Sequence, residues 1–264
     1  ITFAHCMRKS IPYKKIEQNF IIKKSEENPK GTRLNKFLSN AGICARRKAD
    51  EFIKAGKVSV DGKIITEMGF RVIAGQEVQF EGKTVRSNNK KYYVLLNKPK
   101  DFITTTDDEK ARRTVMELIK GSSPERLYPV GRLDRSTTGL LLFTNDGELT
   151  QKLSHPSKEV KKLYMVQADK VVTHADLVRL AEGIKLEDGI AKADEVAYGS
   201  KNDKRIIGVE IHSGKNRVVR RMFEALGYKV EKLDRVMFAG LTKKDLPRGK
   251  WRHLDSREVS LLYK

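Results

Sequence analysis

The chain has 264 residues, with 54 Lys and Arg against 34 Asp and Glu, a formal net charge of +20. That excess, with an isoelectric point near 9.8, points to a polyanionic partner, nucleic acid before any other. Hydrophobic residues make up 39%, mean hydropathy is -0.54, and no apolar run approaches the roughly 20 residues of a membrane span. No signal-peptide pattern stands at the start. Cys6 and Cys44 lie far apart and form no CxxC pair, which excludes a disulfide framework or a zinc knuckle and fits a reducing cytoplasm.

In chain order, residues 1–31 read as a basic extension without regular structure, adding non-specific affinity for phosphates. From Thr32 the rhythm becomes helical. "TRLNKFLSNAG" places Leu34, Phe37 and Leu38 on one face, and "ARRKADEFIKAG" does the same with Ala45, Ala49, Phe52 and Ile53. Arg33, Lys36, Arg46, Arg47 and Lys48 gather on the polar side. "KVSVDGKIITE" alternates about Asp61-Gly62, a strong hairpin signal, and "GQEVQFEGK" supplies another strand. Residues 87–91, "SNNKK", read as a polar linker between a module over 32–86 and a larger unit over 92–264.

In the larger unit, "YYVLLNKP" reads as a buried strand stopped by Pro99, "DFITTT" as a short strand and "RTVMELI" as a helix. "VKKLYMVQ" and "RIIGVEIHSG" read as strands, and "THADLVRLAEGI" as a helix capped by Thr173. "NRVVRRMFEALGY" reads as a helix with Val219, Met222, Phe223 and Leu226 on its core side and Arg217, Arg220 and Arg221 as a solvent stripe. Trp251 reads as a packing residue on a C-terminal strand. This irregular alternation predicts an α+β fold with a mixed, mostly antiparallel sheet. No Gly-rich phosphate loop follows a strand, so nucleotide cofactors are not expected. His155 and His212 lack partners at ligand spacing, so no metal is expected either.

"VGRLDRSTTGLLLFTNDG", residues 130–147, sets Arg132, Asp134 and Arg135 directly before the apolar run Leu140–Phe143. This predicts a buried strand, ended by a turn at Asn145-Asp146-Gly147, with a carboxylate at its mouth. Such a carboxylate is costly unless a cation or hydrogen bonds compensate it.

The small module resembles the RNA-binding domain named after ribosomal protein S4, on "GICARRKADEFIKAGKVSVDGK". Ala45 replaces the Ser usual there, which weakens the helix cap by about 1 kcal/mol. The resemblance implies docking on folded RNA through phosphates and shape. "GRLD" with "TTGLLLFT", K-x-Y at Lys162 and Tyr164, and G-K-N-R with "RRMFEALGY" together resemble the catalytic domain of ribosomal RNA pseudouridine synthases. The resemblance is to the branch made up of the small-subunit enzyme of type A and the large-subunit enzymes of types B, E and F, with type B nearest.

That resemblance implies Asp134 as the nucleophilic carboxylate, Tyr164 as the residue stacked on the flipped base, and Lys215 as the cation paired with Asp134. It leaves Arg132, Arg135, Lys162, Asn216, Arg217, Arg220 and Arg221 to bind RNA. Ser136 and Val218 depart from the usual residues at positions outside the chemistry. Isomerising uridine changes no oxidation state and imports no group, which agrees with the expectation of no cofactor. Whether the carboxylate attacks the anomeric carbon or removes the neighbouring ribose proton stays open.

The implied partner is ribosomal RNA, 23S ahead of 16S, free or in an assembling subunit, met in the cytoplasm by a monomer away from membranes. The alternative is a non-catalytic RNA-binding ribosome-assembly protein, which would share the charge and the small module but would not require Asp134, Tyr164 and Lys215 together.

Overall fold

The computed structural model describes residues 31–86 and 90–264. Apart from Gly31, the expected N-terminal extension lies outside the described residues, as do positions 87–89 of the expected linker.

In the small module Leu34–Asn40 (α1) and Arg46–Lys54 (α2) bury Leu34, Leu38, Ala49 and Ile53 against Val58, Val60 and Val78, a core of their own. Ala45 occupies the N-cap of α2 and offers no side-chain acceptor to its first amides. Asp61 and Gly62 both take positive φ, 49° and 77°, the pair of conformations that a tight two-residue hairpin needs. They join Val58–Val60 (β1) to Lys63–Ile64 (β2). Val78–Phe80 (β3) and Lys83–Val85 (β4) complete a sheet of order β2-β1-β3-β4.

The larger unit begins with Tyr93–Lys98 (β5), Thr138–Thr144 (β6) and Gly147–Ser154 (α3). Lys162–Ala168 (β7), His174–Glu182 (α4) and the hairpin Ile184–Leu186 (β8) and Gly189–Ala191 (β9) follow. Glu195–Tyr198 (β10), Ile206–Ile211 (β11) and Val218–Ala225 (α5) lead to Val230–Phe238 (β12), Trp251–His253 (β13) and Ser256–Tyr263 (α6). The main sheet runs β10-β11-β7-β12-β6-β5-β13, and two short strands at its flanks bring it to nine. Every neighbouring pair on that path is antiparallel except β12 with β6.

The fold is therefore the expected α+β one, with a mixed and mostly antiparallel sheet. β6 is apolar from Leu140 to Phe143 because both its faces are covered there. Leu141 and Phe143 enter the main core, while Leu140 and Leu142 enter a second core with Leu149 and Phe238.

Three local readings need correction. "DFITTT" is not a strand: the chain turns away after Pro99, Asp101 takes φ 70°, and only a single bridge forms, Ile103 with Thr114. The helix in "RTVMELI" shrinks to Val115–Leu118, closed by a reciprocal cap between Thr114 and Glu117. Asn145-Asp146-Gly147 is not a plain turn, since the Asp146 carboxylate accepts from the amides of Glu148 and Leu149 and starts α3.

Thr173 caps α4 as expected, accepting from the Asp176 amide, and Trp251 packs against the main core. The two units meet where Ser39 Oγ lies 2.9 Å from the Tyr128 hydroxyl and Lys36 pairs with Glu148 at 3.5 Å. Among the described residues no helix is long and apolar enough to cross a membrane.

Candidate active site

The loop carrying Asp134 enters β6 at the centre of the sheet and is held from below by Lys98. This lysine is 0% exposed. Its ammonium donates to the carbonyls of Pro99 (3.1 Å), Asp134 (3.1 Å), Arg135 (3.4 Å) and Thr137 (2.8 Å). Thr104 Oγ1 donates to the Leu133 carbonyl at 2.8 Å, and the Asp101 amide to that of Arg135 at 2.9 Å. A buried cation bonded to several carbonyls fixes a loop more rigidly than neutral hydrogen bonds do.

Where β6 meets β12, Gly139 pairs with Arg235, and Arg235 pairs in turn with Tyr164 of β7. Three adjacent strands thus place the tyrosine beside the Asp134 loop. The cavity above them measures about 220 Å³ and is lined by Asp134, Tyr164, Lys162, Lys215, Arg217 and Arg235 among others. The structure brings together the three residues expected to carry chemistry. Tyr164 is 9% exposed and forms part of the cavity wall. A second hollow, lined by Thr104, Asp108, Arg112, Arg132 and Arg135, shares Asp134 with the first, so the carboxylate borders both.

The cation beside Asp134 differs from expectation. Arg217 Nη1 lies 3.4 Å from its carboxylate, while Lys215 Nζ donates to the carbonyls of Asp188 (2.7 Å) and Ile190 (3.3 Å) and pairs with the Asp188 carboxylate at 3.7 Å. The reason is backbone geometry. Arg217 takes the left-handed conformation, φ 47°, immediately before α5, which points it back across the cavity mouth, whereas Lys215 faces the β8–β9 hairpin.

The expected solvent stripe on α5 is likewise corrected. Arg220 is 6% exposed and donates to the Val230 carbonyl at 2.9 Å. Burial, then the neighbouring Arg217, holds its guanidinium below the usual value. Arg221 forks onto Asp188, with both contacts 2.9 Å, and donates to the Asn216 carbonyl. These two arginines hold the fold around the cavity. Asn216 and Arg217 stay exposed, as do Arg132 and Arg135, the last paired with Asp101 at 3.4 Å.

On the small module Arg33, Arg46 and Arg47 are exposed, and Lys48 pairs with Glu51 at 2.6 Å. Lys36 turns to Glu148. His212 Nδ1 lies 2.7 Å from Asp194, and no cluster of acids, His and Cys among the described residues could hold a metal.

Sequence reasoning missed Lys98 and Arg235. Lys98 shares the period-two face of Val94 and Leu96, both in the main core, and that alternation marks it as an inward lysine. Arg235 had no such signal, because register shifts between β7 and β12 break the alternation of its strand.

Burial pushes Lys98 down to about 8 against the opposing pull of Asp134 and Asp101. Burial, then Arg235, pushes Lys162 down to about 8 against Asp194. Each depressed value means that the proton leaves as pH rises through about 8, weakening the Lys98 tethers under the Asp134 loop and those of Lys162 to the His212 and Ser213 carbonyls. The single-turnover rate is expected to fall above that pH while RNA affinity changes little. A rate unchanged up to about pH 10, where ordinary lysines titrate, would refute a role for these ammonium groups.

Comparison with known proteins agrees with this geometry. Residues 92–225 match the family described as RNA pseudouridylate synthase, and residues 32–78 match the S4 domain. The chain is 42% identical over 233 residues to ribosomal large subunit pseudouridine synthase B of Bacillus subtilis (strain 168), covering 87% of this chain and 95% of that protein. With the protein of the same name from Haemophilus influenzae it shares 37% over 251 residues, covering 91% of this chain and 70% of the relative. A crystal structure of a pseudouridylate synthase superposes with a TM-score of 0.62 at 28% identity, covering 87% of this chain and 99% of that one. With Asp134 and Tyr164 at one cavity and an RNA-binding module ahead of it, the chain belongs to the RNA pseudouridylate synthase family.

Proposed function

We propose that this protein isomerises a uridine of ribosomal RNA, with large-subunit RNA as its target, and that Asp134 is the attacking carboxylate. The observation that carries the reading is the shared cavity. Asp134 sits in a loop fixed by Lys98 and opens on the same space as Tyr164, with Arg217 at 3.4 Å as its partner. One long contact to an exposed arginine leaves the carboxylate available to a ligand. The relatives named for the large ribosomal subunit support the choice of RNA.

The target atoms of a stacked uridine are out of reach, so the nucleotide is flipped into the cavity. There Tyr164 offers a stacking face, a contribution of about 1–3 kcal/mol per base. The Asp134 carboxylate acts at the ribose, the glycosidic bond to ring nitrogen breaks, the base turns, and carbon takes the place of nitrogen. Arg217 and Lys98 hold the carboxylate and its loop in place. The exposed Arg132 at the rim and Arg33, Arg46 and Arg47 on the small module meet phosphates.

The direct test is tritium release from full-length large- and small-subunit transcripts labelled at uridine C5. Release from the large-subunit transcript is expected; release from the small-subunit transcript alone would overturn the choice of target. Replacing Arg46, Arg47 and Lys48 by Ala is expected to weaken RNA binding and to flatten the plot of log affinity against log salt by about 0.7–0.9 for each phosphate no longer neutralised. An unchanged slope would refute the docking role of that face.

A further inference from the structure

Two cations that form no ion pair among the described residues line the cavity that Asp134 also borders. Lys162 and Arg235 both line it, and Tyr164 stands directly across from Arg235 in the β7–β12 register, with Lys162 two residues earlier on the same face of β7. Lys162 Nζ donates to the carbonyls of His212 (2.6 Å) and Ser213 (3.4 Å). Arg235 is 3% exposed, donates from Nε to the Leu140 carbonyl at 2.8 Å and lies 4.6 Å above the Phe238 ring.

Its Nη2 is buried with no partner. The adjoining Asp234 is engaged elsewhere, by Arg248, Lys243 and Thr138. Asp194, whose field reaches Lys162, is hydrogen-bonded to His212. Burial and mutual repulsion both disfavour such a pair. Like charges kept together in a cavity are a mark of a site that receives the opposite charge.

The reaction supplies that charge. When the bond between C1′ and N1 breaks, its electron pair stays on the base, which becomes a uracil anion with charge spread over O2 and O4. C1′ meanwhile bonds to a carboxylate oxygen of Asp134, or loses its neighbouring ribose proton to it. When C5 later attacks C1′ with the anion's electron pair, either the C1′–oxygen bond breaks and its pair returns to the Asp134 carboxylate, or Asp134 gives its proton back to the ribose. The C5 proton then leaves and N1 takes up one proton, so no atoms or electrons are gained. The detached anion exists on either route. It lasts long enough to turn over, and it has no covalent tether while it does.

Resting on the reading of the site above, we propose that Lys162 and Arg235 are the seat of the detached uracil anion, holding its carbonyl oxygens while the ring rotates against Tyr164. Preorganised donors aimed at developing charge act mainly on the chemical step. The two residues thus differ in task from Arg217, which faces the carboxylate.

The test compares full-length protein on two transcripts of large-subunit RNA under single-turnover conditions, one with uridine and one with 5-fluorouridine, whose base forms the more stable anion. Because fluorine at C5 cannot leave as the proton does, the rate read on both is consumption of the starting nucleoside. Lys162→Met is expected to lower the rate of nucleoside consumption by about 100-fold on uridine, with RNA affinity within about twofold, and by about 10-fold or less on 5-fluorouridine. Lys162→Arg is expected to restore most of the rate.

Arg235→Lys serves as a second variant with the same shift in the ratio of the two rates. That ratio is independent of the fraction of protein that folds. An equal loss on both transcripts, or no loss, overturns the anion seat. Asp134→Asn tests the underlying reading separately. If it is inactive on both transcripts while Lys162→Met shows no preference, the seat alone fails; if it remains active, the reading of the site fails.

Discussion

Asp134→Asn is expected to stop pseudouridine formation, with a fall in single-turnover rate on the order of 10⁴-fold or more, as for removal of a nucleophile elsewhere. The amide keeps the shape of the carboxylate and the Lys98 tethers run to backbone carbonyls, so the loop itself is not disturbed. What disappears structurally is one ion pair between half-exposed groups, Asp134 and Arg217, worth less than about 1 kcal/mol. RNA affinity is therefore expected to stay within about twofold. Electrophoretic binding and tritium release on the same preparation separate the two effects. A protein that loses binding and turnover together would place Asp134 in RNA docking instead of chemistry.

Gly139→Ala is expected to be the most damaging small substitution in the larger unit. Gly139 has φ +111°, and a Cβ there would sit 2.3 Å from the Arg235 carbonyl oxygen and 2.5 Å from its amide nitrogen. Both are backbone atoms of β12, so nothing can rotate aside. The strain of the conformation costs about 1–3 kcal/mol by itself, and the clash must part β6 from β12 at their one parallel contact. We expect a loss of roughly 3 kcal/mol or more, a drop in melting temperature of about 10 °C, and a further loss of activity as Arg235 and Tyr164 shift.

Gly131→Ala is the matched control. Its φ is also positive, 74°, but its Cβ meets nothing within 4 Å, so only about 1 kcal/mol should be lost. Thermal melts that place the two variants together would remove the argument that close approach at Gly139 shapes the site.

Much of this was readable from residues that sit in short, self-contained signals. The α1–α2 pair follows from apolar spacing, the first hairpin from Asp61-Gly62, and β6 from four apolar residues in a row. Asp134 and Tyr164 were legible through motifs that keep their order in the chain. The partner of Asp134 was not, because the choice between Lys215 and Arg217 depends on a left-handed residue before α5, which spacing alone does not reveal. Arg220 read as a surface residue because it lies off the apolar face of its helix, but the Val230 carbonyl draws it inward. β12, α6 and the β8–β9 hairpin were missed for a related reason. The register of β12 shifts against β7, β8 and β9 have only three residues each, and α6 has eight residues with only Leu262 buried, so each leaves a weak periodic signal.

The most direct measurement is pseudouridine mapping of ribosomal RNA from cells that lack this protein, complemented with either the wild-type chain or the Asp134→Asn variant at equal abundance. The account predicts that one or more large-subunit pseudouridines vanish in the deletion, return with the wild-type chain and stay absent with the variant. A modification restored equally well by the variant would contradict it.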